Sequence, residues 1–104
     1  MSRHTESIER VAEAVLKTPG DADQDLRRAV AAFAGGDKAQ IPDELRPYVD
    51  KVARNAYKVT DGDVDRLREA GYSEDAIFEL TLATALGAAR ARLERGLAAL
   101  RAEP

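Results

Sequence analysis

The run AIFELTLATALGAARA, from Ala76 to Ala91, is apolar in almost every direction once wound into a helix, and only Glu79, Thr81, Thr84 and Arg90 interrupt it. A helix that is hydrophobic all round has to be enclosed. The chain has 104 residues, and the four shorter helices expected upstream do not suffice to cover this one. A subunit interface is the expected cover. Gly87 and the alanines at 83, 85, 88, 89 and 91 permit close approach, and Leu93, Leu97 and Leu100 continue one apolar face. The expectation is a homo-oligomer joined through Ala83, Leu86, Gly87, Ala89, Leu93 and Leu97.

The stretch before this run, VTDGDVDRLREAGYSEDAIFEL, is densely punctuated. Thr60 with Asp63 three residues later forms a capping box, and Val59 can staple onto Val64. A short helix follows, with Val64, Leu67 and Ala70 inward. Gly71 suits the left-handed residue after a helix C-cap because it has no Cβ to clash. Ser73 then caps the next helix, Glu74 and Asp75 put negative charge at its positive end, and Tyr72 can staple onto Ile77. Further upstream, Ile8, Val11, Ala12, Val15 and Leu16 make one amphipathic stripe, capped by Thr5 or Ser7 and stopped at TPGD. Leu26, Ala29, Val30 and Phe33 make a second, ended by GGD at 35–37. A third starts near Pro42, with Pro47 close to its beginning and Leu45, Val49, Val52 and Ala56 facing in. The result is an all-α fold of about five helices in a single domain over 1–104, without strand alternation or internal repeats.

Composition narrows the chemistry. Hydrophobic residues form 44% of the chain and charged residues 34%, while aromatics are only 5%, so the core is aliphatic and alanine-rich. A net charge of −3 argues against a nucleic-acid module, whose footprint is basic. Tyr48, Tyr57 and Tyr72 are too widely spaced for a base-stacking platform, and each is expected to pack with its hydroxyl at the surface. No cysteine is present, which removes disulfides, thiolate metal sites and thiol peroxidase chemistry. No apolar segment escapes its arginines for long enough to span a bilayer, and no signal-like segment opens the chain, so the cytoplasm is the expected compartment.

From about Pro47 to Leu97 the chain resembles the C-terminal half of the alkylhydroperoxidase D-like and carboxymuconolactone decarboxylase-like family. The carriers are Thr60-Asp61, Leu67, Ala70-Gly71, Ser73-Glu74-Asp75, Ile77, Glu79-Leu80 and Arg92-Leu93. The segment 47–100 is the family-like core, and residues 1–40 carry no part of the resemblance. It implies an all-helical, obligately oligomeric alkylhydroperoxidase D-like bundle. Relatives of this type often carry a CxxC followed by histidine, and here both cysteines are missing and His4 is the sole histidine. The implied peroxidase activity is therefore excluded while the implied fold and assembly stand as expectations.

Glu79 is the most suggestive side chain, because a carboxylate in an apolar run needs a specific partner or a shifted pKa. Arg54 or Arg92 is the expected partner, in a structural role. Thr81 and Thr84 are expected to return their hydroxyls to carbonyls four residues back. Arg90, Arg92, Arg95 and Arg101 alternate with Glu94 and Glu103, and Arg90 is expected to pair with Glu94. Asp61, Asp63 and Asp65 share part of a calcium-loop spacing but lack its twelve-residue length and terminal glutamate, so helix capping accounts for them. Ser2, Ser7 and Ser73 have only His4 as a possible imidazole base, which leaves no plausible triad. The expected function is a non-catalytic, cofactor-free and metal-free oligomeric module that binds a partner or a small molecule. The alternative is a thiol-independent enzyme of the carboxymuconolactone decarboxylase-like kind, with Glu79 moving a proton and Arg92 holding an acidic substrate.

Overall fold

The computed structural model describes residues 3–102, and side chains at 6–7 and 9–102; His4 and the expected Thr5 cap and Ile8 contact lie outside the described side chains. The described residues are helical and contain no strand. The helices are α1 (Arg3–Lys17), α2 (Gln24–Ala34), α3 (Arg46–Asn55), α4 (Asp61–Glu69) and α5 (Glu74–Arg101). Single 3₁₀ turns at Asp43–Leu45 and Ala56–Lys58 bracket α3. The 28 residues of α5 reach about 42 Å, which accounts for most of the 52 Å long dimension, against 27 and 23 Å across.

The helix boundaries follow local chemistry. At the start of α4 the Asp63 amide donates to Thr60 Oγ1 at 3.3 Å and the Thr60 amide to Asp63 Oδ2 at 2.9 Å, the expected capping box. α4 ends with Gly71 at φ +105°, where the Gly71 amide donates to the Arg68 carbonyl and the Tyr72 amide to the Leu67 carbonyl. This is the paired C-terminal closure that a left-handed glycine permits. Gly36, at φ +100°, closes α2 in the same way onto Phe33 and Ala32. Ser73 Oγ accepts the Ala76 amide at 3.0 Å and starts α5.

α5 is the hub, with all four other helices packed on it. Val30, Leu45, Val49, Leu80 and Thr84 are its fully buried neighbours and members, joined by Ile41, Leu67, Ala76, Ile77 and Ala83. α2 comes closest: a Cβ on Gly87 would collide with the Ala31 carbonyl. Several expectations are corrected. Tyr48 is buried, and its hydroxyl lies 2.7 Å from Thr81 Oγ1 of α5 in place of solvent. Thr81 sends its own proton to the Ile77 carbonyl, so Tyr48 is the donor. Val11 is 55% exposed, and Ala56 and Ala70 are exposed rather than core-facing. Arg27, a side chain the helical stripe of α2 did not mark, is 3% exposed and donates to the Val15 carbonyl at 2.8 Å, closing the end of α1.

Candidate functional site

Glu79 leaves α5 toward the loop between α1 and α2. Its Oε1 accepts the Ala22 amide at 2.8 Å and its Oε2 the Asp21 amide at 3.1 Å. Donation from Ala22 is the largest influence holding its carboxyl below the usual range, opposed by burial and reinforced by Asp21 and by the Arg27 charge. Gly20 makes room, since a Cβ there would stand 2.6 Å from Glu79 Oε1. The carboxylate is thus a clasp on the backbone, and neither Arg54 nor Arg92 is its partner. Arg54 pairs with Asp50 at 2.7 Å, and Arg92 donates to the Ala53 carbonyl at 2.7 Å near the end of α3. Glu79 and Arg92 stand about 20 Å apart along α5 on different sides of it, so the structure does not bring the two together.

Other polar candidates are similarly engaged. Thr84 donates to the Leu80 carbonyl at 2.7 Å, as Thr81 does to Ile77. Arg90 reaches Glu9 of α1 at 3.1 Å instead of Glu94. Asp63 holds Lys51 at 2.8 Å and Arg66 at 3.4 Å, and Asp65 holds Arg68 at 2.8 Å. The Lys51 ammonium, followed by the Thr60 amide, draws the Asp63 carboxyl down to about 2. Tyr72 donates to Glu44 at 2.9 Å, and burial together with that bond raises its phenol to about 12. No group of three or more acidic, histidine or cysteine side chains converges among the described residues in a way that could hold a metal ion. None of the described helices is long and apolar enough to cross a membrane.

Buried Arg27 Nε and Arg90 Nε have no hydrogen-bond partner among the described residues, and what remains uncovered is apolar. Around α5 the helical period distributes its residues between a covered and an open side. Ala83 and Gly87, both expected in a subunit interface, are buried within the chain, with Gly87 against α2. The open side carries Phe78 at 63% exposure, Leu82 at 42% and Leu100 at 71%, with exposed Ala85, Ala89 and Gly96 and half-buried Leu86, Leu93 and Leu97. These residues share one face, which runs about 33 Å from Phe78 to Leu100 with no charged side chain at its centre. Exposed Val11 borders it: Ser7, Val11, Leu86 and Ala89 line a cleft of about 240 Å³. A second cleft, of about 280 Å³, lies between the end of α1 and Glu79 and Leu82. Beyond Ala88 no residue of α5 is buried, so the last turns project from the body.

A continuous exposed apolar strip of this length is what protein–protein surfaces look like before they are covered. Half of its signal was present in the sequence as the apolar perimeter of α5; which alanines face in and which face out depends on where α1, α2 and α3 dock. No protein-family model, curated protein or solved structure matches the chain.

Proposed function

We propose that this protein is a non-catalytic helical interaction module that works as a homo-oligomer through the outer face of α5. The observation that carries the reading is the apolar strip from Phe78 to Leu100, left open between α1, which borders it at Val11, and the α3 and α4 side chains beside Phe78, while α2 covers the Gly87 side of α5. The resemblance to the alkylhydroperoxidase D-like bundle agrees with it, in that relatives of that type are oligomeric. The engaged state of Glu79 and Arg92 supports a scaffold over the enzyme alternative, since both side chains hold backbone in place.

The test is a charge placed on the strip. Ala85 is exposed and Leu86 half-buried, so Ala85→Glu leaves the folded chain intact while putting a carboxylate into the contact. Light scattering coupled to size-exclusion chromatography is expected to give an oligomer for wild type, and monomer for Ala85→Glu and Leu86→Arg. A change across α5 from the strip, at exposed Arg28 of α2 beside Gly87 and Ala91, is expected to leave the oligomer in place. A soluble wild-type monomer at micromolar concentration refutes the proposal.

A further inference from the structure

Three features of α5 bear on how its open face is covered. The first is a division of charge. From Glu74 to Ala89 the helix carries Glu74, Asp75 and Glu79 and no basic residue, whereas from Arg90 onward it carries Arg90, Arg92, Arg95 and Arg101 against Glu94 alone. Glu74, Glu79, Arg90 and Arg92 have partners within the chain, so the charges offered to a second copy are Asp75 at one end and Arg95 and Arg101 at the other. The second is the projection of that basic half, whose Leu93, Leu97 and Leu100 extend the apolar strip with no buried residue beyond Ala88. The third is Gly96. A Cβ there would meet nothing within 4 Å among the described residues, yet a glycine in a helix interior weakens the helix relative to alanine. Nothing among the described residues calls for a glycine at that position.

From these, and resting on the oligomer reading above, we infer that the partner is one second copy laid antiparallel along α5, with a two-fold axis passing beside Ala89, so that the assembly closes as a dimer. In this arrangement each basic projection lies along the acidic half of the other copy. The residues that face one another alternate in size. Phe78 meets Leu100, Leu82 meets Gly96, Ala85 meets Leu93, and Ala89 meets its own symmetry mate. Gly96 then has its reason, because it leaves room for Leu82 of the second copy. Small residues at and near the axis let the helices approach at the short end of the usual 8–10 Å separation. A parallel pair would instead set acid against acid and base against base, and Phe78 against Phe78. A two-fold contact of this kind uses the same patch on both copies and has no free patch left for a third.

The absence of cysteine makes the register directly measurable, since any thiol introduced is the only one in the chain. A disulfide requires Cα atoms within about 7 Å. In the antiparallel pair the two copies of Ala89 meet that condition, whereas the two copies of Ala85 are separated by about 12 Å along the helix. Ala89→Cys is therefore expected to give a covalent dimer under mild oxidation at low micromolar protein. Ala85→Cys and Leu93→Cys alone should stay uncrosslinked and form a mixed disulfide when combined. Asp43→Cys, exposed on the 3₁₀ turn before α3 and outside the strip, controls for random collision. Light scattering of the reduced proteins gives the subunit number in parallel. Self-crosslinking of Ala85→Cys and Leu93→Cys overturns the antiparallel arrangement. A dimer in which Ala89→Cys does not crosslink overturns the register and leaves the oligomer reading standing. A trimer or larger assembly overturns the closed dimer, and a reduced wild-type monomer overturns both the inference and the reading beneath it.

Discussion

A carboxylate can hold a helix start and an ion pair at once, and Asp63 does both. Its Oδ2 accepts the Thr60 amide while Lys51, from α3, bonds both oxygens at 2.8 and 3.0 Å. Because its folded pKa is drawn down to about 2, the folded protein holds no proton on this group at a pH where the unfolded chain begins to take one up. The resulting stabilisation is complete above pH ~4 and fades as the pH falls toward ~2. Urea midpoints of wild type and Asp63→Asn are expected to differ clearly at pH 7 and to converge below pH ~4; a gap that ignores pH would show that the charge is not what matters. Glu79 is shifted in the same direction by the Ala22 and Asp21 amides and adds to the same loss in acid. The sequence marked Asp63 through its spacing from Thr60, because a cap is made of neighbours. It marked Glu79 as unusual but named the wrong partners, since the two amides it holds lie 57 and 58 residues away and the contact comes from how the loop folds over α5. Tyr48, Arg27 and Arg90 were misread or unmarked for the same reason.

At the scale of elements, glycine serves two purposes that one substitution separates. Gly71 has nothing near its missing Cβ but sits at φ +105°, so Gly71→Ala carries only the strain of a left-handed alanine, about 1 kcal/mol. Gly87 is helical, and its missing Cβ is what lets α5 rest on the Ala31 carbonyl, so Gly87→Ala forces α2 and α5 apart at a cost of about 3 kcal/mol. Equilibrium denaturation is expected to rank Gly87→Ala well below Gly71→Ala; equal losses would mean that the helices part without resistance. Both ends of α4 and the start of α5 were readable beforehand because their chemistry is complete within a few residues. The start of α3 was less so. A helix begun at Pro42 would need an amide hydrogen from Pro47, which has none, to reach the Asp43 carbonyl. The chain makes a 3₁₀ turn over Asp43–Leu45 and enters α3 at Arg46. At the other end the backbone leaves helical values at Asn55 (φ −144°, ψ 56°), which turns Ala56 out to solvent.

For the molecule as a whole, stability and assembly are one equilibrium if the open face of α5 closes on a second copy. The midpoint of thermal unfolding is then expected to rise with protein concentration, because association draws on the folded state alone. A midpoint constant over a hundredfold range of concentration would argue for a self-sufficient monomer. The five-helix plan was legible because amphipathic periods survive whatever their neighbours do, while the shape of the exposed strip emerged only once α2 had claimed Ala83 and Gly87. The seam of strip residues that meet in the inferred antiparallel pair also has a handedness. Phe78, Ala89 and Leu100 fall eleven residues apart, as do Leu82 and Leu93, and Ala85 and Gly96. Eleven residues over three turns exceed the 3.6-residue period slightly, where a heptad falls short of it, so the strip winds slowly in the sense opposite to that of a leucine-zipper seam. Two copies following it along their length would coil about each other to the right.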